Sequence, residues 1–310
     1  MTIQERLMLR TEPRSPQSES TGDRWTSVHA GWLRPFLIFI AASIFIFFRI
    51  FLLPGTPLVV TGDQAIFAAD AKRILLGQVP FRDFFCFVLP GWEILYAGMF
   101  RMFGVQAWLM QGMLVCLGAV IASLITWISQ NILRGFAAVL PALLFLAFDL
   151  NSALDATHHW YSTMFVLIAT GLLLRGKSLL RIATIGSLCG ISTLVTQSQG
   201  VLSLLAFGIY LILIQSPDMK RRILWVRTGV LLAPFLVIVL SFTGYFVYRA
   251  GLYPVYYDLG YFAIHFFSAQ DSNTLHAYFL QLPHLHHPSD LIPVVSFVFI
   301  HLLVPFRVII

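Results

Sequence analysis

Apolar and polar positions in this chain separate into blocks. Long apolar runs fall at 35–53, 106–130, 136–150, 160–174, 179–196, 200–215, 224–248 and 291–310. The stretches between them hold most of the charge. Each run approaches the roughly 20 residues a helix needs to cross a bilayer core. The runs at 136–150 and 200–215 are short, so their ends must extend into neighbouring polar residues. Arg49 interrupts the first run near its end, where a long side chain can snorkel. The pattern predicts an all-α, polytopic transmembrane helix bundle.

One segment decides the topology. Residues 90–104 (PGWEILYAGMFRMFG) are apolar but brief, and they carry Glu93 and Arg101. If this segment spans, Arg175, Lys177, Arg181 and the Lys220-Arg221-Arg222 cluster face outward. If it lies in the interface, the strongly basic loops fall inside, as the positive-inside rule requires. On that count 14 of the 20 Lys and Arg residues are cytoplasmic. About eight spans follow, with the amino terminus inside and in-plane amphipathic helices in the first outer loop. Residues 1–32 then read as a flexible cytoplasmic tail, and 33–310 as the transmembrane domain. That domain includes a first periplasmic loop at 54–105 and a further outer loop at 249–290.

Composition narrows the class. Of the 310 residues 58% are hydrophobic and only 11% charged, less than half the roughly 25% of a soluble domain. A soluble globule and a disordered chain are excluded. So is a disulfide framework, since Cys86, Cys116 and Cys189 offer neither pairs nor metal-binding spacing. The net charge of +6 sets orientation and does not point to nucleic acid. The acids and histidines sort the other way. Nine of 14 acids and seven of nine histidines fall on the outer side, so chemistry is sought there.

In the first outer loop, 62–77 (GDQAIFAADAKRILLG) reads as a short helix ended by a glycine, acidic early and basic late. Asp63 and Asp70 share a stripe with Phe67 and Ile74. They stand roughly 10 Å apart, too far for one metal or one proton. Asp63 has two readings: a helix-start acid favoured by the dipole, or a general base held just above the bilayer. Arg82-Asp83 is a local ion pair or a catalytic pair. His158 and His159 are phosphate-facing donors or proton carriers, or they join Trp160 and Tyr161 in an interfacial belt. Thr196–Gly200 reads as a turn. Aromatic residues of 249–290 suit either sugar rings or the membrane interface. The His284-Leu285-His286-His287 tract reads as a polar loop, not as a metal site. Nucleotide-binding, serine-hydrolase and zinc-protease motifs are absent. No inverted repeat of broken helices is present either, which counts against a transporter.

The order Gly62-Asp63-Gln64, Ala68-Ala69, Gly77, Pro80-Phe81-Arg82-Asp83-Phe84, Pro90-Gly91, Tyr96 and Phe103-Gly104 resembles the first outer loop of polytopic glycosyltransferases of the GT-C fold. The likeness is to bacterial relatives of protein O-mannosyltransferases and lipid A aminoarabinose transferase, over roughly residues 33–250. It implies a polyprenyl-phosphate sugar donor and an inverting transfer to an envelope lipid, glycan or protein acceptor on the outer face of the cytoplasmic membrane. By the resemblance Asp63 is the base or acceptor-orienting carboxylate. Arg82, His158, His159 and Arg249 become candidates for the donor phosphate, with Asp70 and Asp83 as further candidate substrate contacts. No fixed metal ligand set is implied, and a divalent metal is left open. The family often has Asp-Glu where this chain has Asp63-Gln64, and many members carry a second acid near the positions of Trp160–Ser162. Relatives also continue through more spans, so the chain reads as a short or truncated form. The alternatives are a non-catalytic partner in envelope polysaccharide assembly and, behind it, a transporter.

Overall fold

The computed structural model describes residues 21–51, 62–150, 154–213 and 221–267. The run at 291–310, the histidines of 276–287 and the tail at 1–20 lie outside the described residues. Ten α-helices run through them: α1 (Thr21–Ile50), α2 (Asp63–Leu75), α3 (Gly91–Phe103), α4 (Ala107–Ser129), α5 (Leu140–Leu144), α6 (His158–Leu174), α7 (Leu179–Val195), α8 (Gln197–Leu213), α9 (Arg221–Ala250) and α10 (Leu252–Tyr256). No β-strand forms among the described residues, which hold only an isolated bridge between Pro80 and Phe84. The all-α expectation therefore holds.

Among the described residues, three helices have the length and apolar character to cross a membrane: Gly31–Ile50, Ala107–Ser129 and Arg222–Ala250. The helices α6, α7 and α8 have 17 residues each, the lower edge of what a crossing needs. The 136–150 run differs from a single helix. It breaks into a 3-10 turn (Gly135–Ala138), the five residues of α5, and a π-helical turn (Phe145–Asp149). The first helix also starts earlier than the apolar pattern suggested. Its Thr21 start lies inside the stretch read as a flexible tail, because extending an existing helix costs little once it is nucleated.

The described residues divide into two compact units, one built from 21–78 and 89–244, the other from 79–88 and 245–267. In the first, α1 packs on α4, α4 on α6, α6 on α7, α7 on α8, and α2 on α3. Its core gathers Ala169, Ile182, Ile185, Cys189, Phe207 and Leu231. Helices come close where glycine leaves room. A methyl group on Gly186 would sit 2.0 Å from the Leu231 carbonyl oxygen, and one on Gly171 would sit 1.8 Å from the Trp127 ring. Small residues at such crossings let backbones approach where no water drives the helices together.

The second unit is built on the loop 79–88 and the end of α9. α10 continues into π-helical turns at Tyr257–Tyr261 and Ala263–Phe267. Buried Asp258 accepts the Cys86 N–H at 2.9 Å and so ties loop to helix.

Candidate functional site

Gly62, at φ 93°, turns the chain into α2 and leaves Asp63 exposed in its first turn. One helical turn later Phe67 is buried and meets the His158 ring edge-on, centroids 5.0 Å apart. Two histidines therefore stand beside Asp63 at the head of α6. One ligand atom from each of Asp63, His158 and His159 lies within 4.8 Å of the others. The two imidazoles are 4.0 Å apart between centroids.

Helices α2 and α3 hold this corner rigidly. The Gln64 carbonyl oxygen Oε1 accepts the Ala156 N–H at 3.2 Å, and the Tyr96 hydroxyl donates to the Ala156 carbonyl at 2.9 Å. Both backbone groups of the residue before the Thr157-His158 turn are thus fixed by side chains from other helices. Burial pushes the Tyr96 hydroxyl well above its ordinary pKa. Beneath the histidines, Ser162 Oγ lies within hydrogen-bonding reach of both histidine carbonyls, Thr196 Oγ1 and Gln199 Oε1. Gln199 Nε2 donates to Thr163 Oγ1 at 3.0 Å. Only Thr196 separates α7 from α8; Gln197–Gly200, expected as part of a turn, forms the first turn of α8, and the stretch also buttresses the head of α6.

Burial favours the neutral imidazole of His158. Burial, with a smaller push from neighbouring His159, lowers His158 to about 3, and its Nδ1 is buried without a hydrogen-bond partner. Asp155 is raised, first by burial and then by the Asp63 charge, while His159 pulls it back. Its Oδ1 is likewise buried and unpartnered. One carboxylate with two imidazoles is a donor set suited to a divalent ion such as zinc or manganese. The neutral, unpartnered His158 fits that role. The three side chains can hold such an ion, or meet a phosphate oxygen directly through imidazole N–H groups.

The other sequence-predicted residues are engaged elsewhere. Asp70 is buried and paired with Arg73 at 3.2 Å; burial raises it and Arg73 draws it back. In the second unit, Arg82 grips Asp83 through two bonds of 2.9 Å, and Asp83 Oδ2 also accepts the Val79 N–H at 2.7 Å. The Arg82 bond, then the Val79 N–H, lowers Asp83 to about 2. Phe81 in this loop adopts φ 68°, a strained left-handed backbone for an aromatic residue. Arg249 donates to the Tyr245 hydroxyl at 2.9 Å.

Sequence reasoning missed the clamps made by Gln64 and Tyr96 and the buttress made by Ser162 and Gln199. Each joins positions more than 30 residues apart, which no local pattern reveals. Asp155 did carry a signal, an acid three residues before the His158-His159 pair. Comparison of the chain with protein-family models, curated proteins and solved structures finds no match.

Proposed function

We propose that this chain is a membrane glycosyltransferase of the GT-C kind, moving a sugar from a polyprenyl-phosphate donor to an envelope lipid, glycan or protein acceptor. On this reading the bundle has about eight spans, with α2 and α3 lying in the plane of the membrane. The amino terminus is cytoplasmic, and the site faces outward from the cytoplasmic membrane. The observation that carries the reading is the cluster of exposed Asp63 with His158 and His159 at the head of an apolar helix.

The chemistry is an inverting displacement. The acceptor hydroxyl gives its proton to Asp63 as its oxygen attacks the sugar's anomeric carbon. The bond from that carbon to the phosphate oxygen breaks, and its electron pair leaves with the polyprenyl phosphate. His158 and His159 stand where the growing phosphate charge needs partners. A divalent ion, when held by the same three side chains, supplies Lewis-acid neutralisation of that charge. Asp70, Arg82, Asp83 and Arg249 keep structural roles, since each already has a partner within its own unit.

The test uses membranes containing the full chain and a panel of radiolabelled polyprenyl-phosphate monosaccharides. Asp63→Asn is expected to lower transfer by about 10²–10⁴-fold. Full activity in the variant removes Asp63 from the mechanism. Donor binding by the native chain without turnover favours the non-catalytic partner instead. Cysteine labelling at Lys72 and Lys177 is expected to report opposite sides of the membrane.

A further inference from the structure

Residues 252–267, in the second unit, carry seven aromatic rings and one charged residue, Asp258. That one charge is turned inward, where it accepts the Cys86 N–H. The outward side is apolar instead: Leu252 is 69% exposed, Tyr253 73% and Ile264 69%. The segment does not prolong α9. That helix stops at Ala250, and Gly251, at φ 96°, breaks the chain before α10 begins. The exposed apolar surface nevertheless continues from α9, whose Tyr248 is 85% exposed.

The rings are ordered. Tyr253, Tyr257, Tyr261 and His265 recur every four residues and form a row along the helix, with centroids 6.2, 5.5 and 4.1 Å apart. The planes of Tyr257 and His265 each lie 21° from that of Tyr261, and His265 Nδ1 stands 2.9 Å from the Tyr261 carbonyl oxygen. A sugar ring needs an open aromatic face. Tyr261 has a ring on either side and offers its edge and its hydroxyl, so the row is a poor sugar platform. One step round the helix a second row has no polar tips: Phe262 stacks on Phe266 at 5.7 Å, and Phe85 meets Phe262 edge-on at 4.7 Å. Phe85 and Phe266 are both largely exposed.

We infer that Leu252–Phe267 is an in-plane membrane anchor. Its axis lies along the bilayer surface, with the tyrosine hydroxyls and His265 among the headgroups and the rings of Phe85 and Phe266 at the acyl boundary. Tyrosine favours that zone because its body is apolar and its tip is wet. A row of such tips running along a helix meets one thin zone at every ring only when the axis is parallel to it. The outward face carries no formal charge, so the occupant is the lipid interface itself and not an anionic headgroup. The inference rests on the reading that the apolar helices cross a bilayer, and it is independent of the transfer chemistry.

The experiment is spin labelling of the full chain in phosphatidylcholine vesicles, with depth read from collisions with oxygen against a water-soluble nickel chelate. Labels go on Leu252→Cys, Tyr256→Cys and Ile264→Cys in a Cys116→Ser background, since Cys116 is exposed while Cys86 and Cys189 are buried. Leu240→Cys, on the exposed side of α9, and Arg134→Cys, in an exposed turn, set the lipid and water limits. All three segment labels are expected between those limits, with Leu252 and Ile264 within about 5 Å of one another in depth. A steady change of about 18 Å over those 12 residues shows a crossing helix and overturns the anchor. Nickel access equal to that at Arg134 shows a water-exposed loop and overturns it too, as does low access to both reagents, which shows a covering protein surface. Tyr257→Phe with Tyr261→Phe is expected to move the Leu252 label deeper; an unmoved label removes the hydroxyls from the argument and overturns the in-plane placement of the row. A Leu240 label as open to nickel as Arg134 overturns the membrane reading beneath the inference, whereas loss of transfer in Asp63→Asn bears on the proposed function alone.

Discussion

The two ends of α6 solve opposite electrostatic problems with the same helix. At its head, His158 and the neighbouring Asp155 carry buried polar atoms without partners, and exposed Asp63 completes a compact cluster. At its foot, Arg175 is satisfied by aromatic faces, stacked on Trp127 with Trp32 6.0 Å from Trp127. The foot is built of long cations that pack their stems and charged ends against aromatic rings and the turn between α6 and α7. The head is built of short groups held in place by clamps from α2 and α3. Unsatisfied, rigidly held polar groups mark a place prepared for a ligand. The stacked Arg175 marks an end whose charge is already met within the fold.

That contrast can be broken from either side. The largest effect is expected at the head. Asp63→Asn should lower transfer by about 10²–10⁴-fold while leaving the thermal midpoint of the detergent-solubilised chain unchanged, since Asp63 is exposed; a lowered midpoint would mean that Asp63 serves the fold. Next comes Gly171→Ala, whose added methyl would collide with the Trp127 ring. It is expected to destabilise by about 1–3 kcal/mol, read as a lower midpoint in thermal melts of the detergent-solubilised chain. Removing the Gln64 amide in Gln64→Ala leaves the buried Ala156 N–H without its partner and is expected to cost about 1–3 kcal/mol in the same melts. Arg175→Ala removes a stacked cation that is exposed to solvent, for about 0.5–1 kcal/mol.

The smallest effect serves as a control in the other unit. Asp83 is held below its ordinary pKa, at about 2, so folding favours its charged form. Its contribution to stability is complete above the unfolded value near 4 and is lost as pH falls through 2. Asp83→Asn should flatten that part of an acid-unfolding curve and leave the neutral-pH behaviour of the head of α6 unchanged.

Much of the helical layout was legible before any coordinates. The Gly62–Gly77 segment folds as α2 with Gly77 at φ 85° just past its end, because a left-handed glycine and the order of its charges are local signals. The segment 90–104 folds as α3, since a proline start and a glycine end bound it. The run at 136–150 was not legible as broken, because apolar composition does not distinguish a regular helix from one with a 3-10 entry and a π-helical turn. Of the candidate site, Asp63, His158 and His159 were all named from sequence, but their meeting was not. Their proximity depends on Phe67 against His158 and on Gln64 and Tyr96 against Ala156, all contacts between distant segments. Asp70 shows a different case. Helical spacing placed it on the stripe of Asp63, and it does turn inward, yet it spends its charge on Arg73.

The backbone approach at Gly186 sets how near α7 and α9 come. A side chain's absence there lets the Leu231 carbonyl sit against α7, with Pro234 of α9 packed just beyond. One turn further along α7, Gly190 faces Ile238 in the same way. Two glycines a turn apart thus form the shallow seat on which α9 crosses, and a larger residue at Gly186 would have to push the two helices apart.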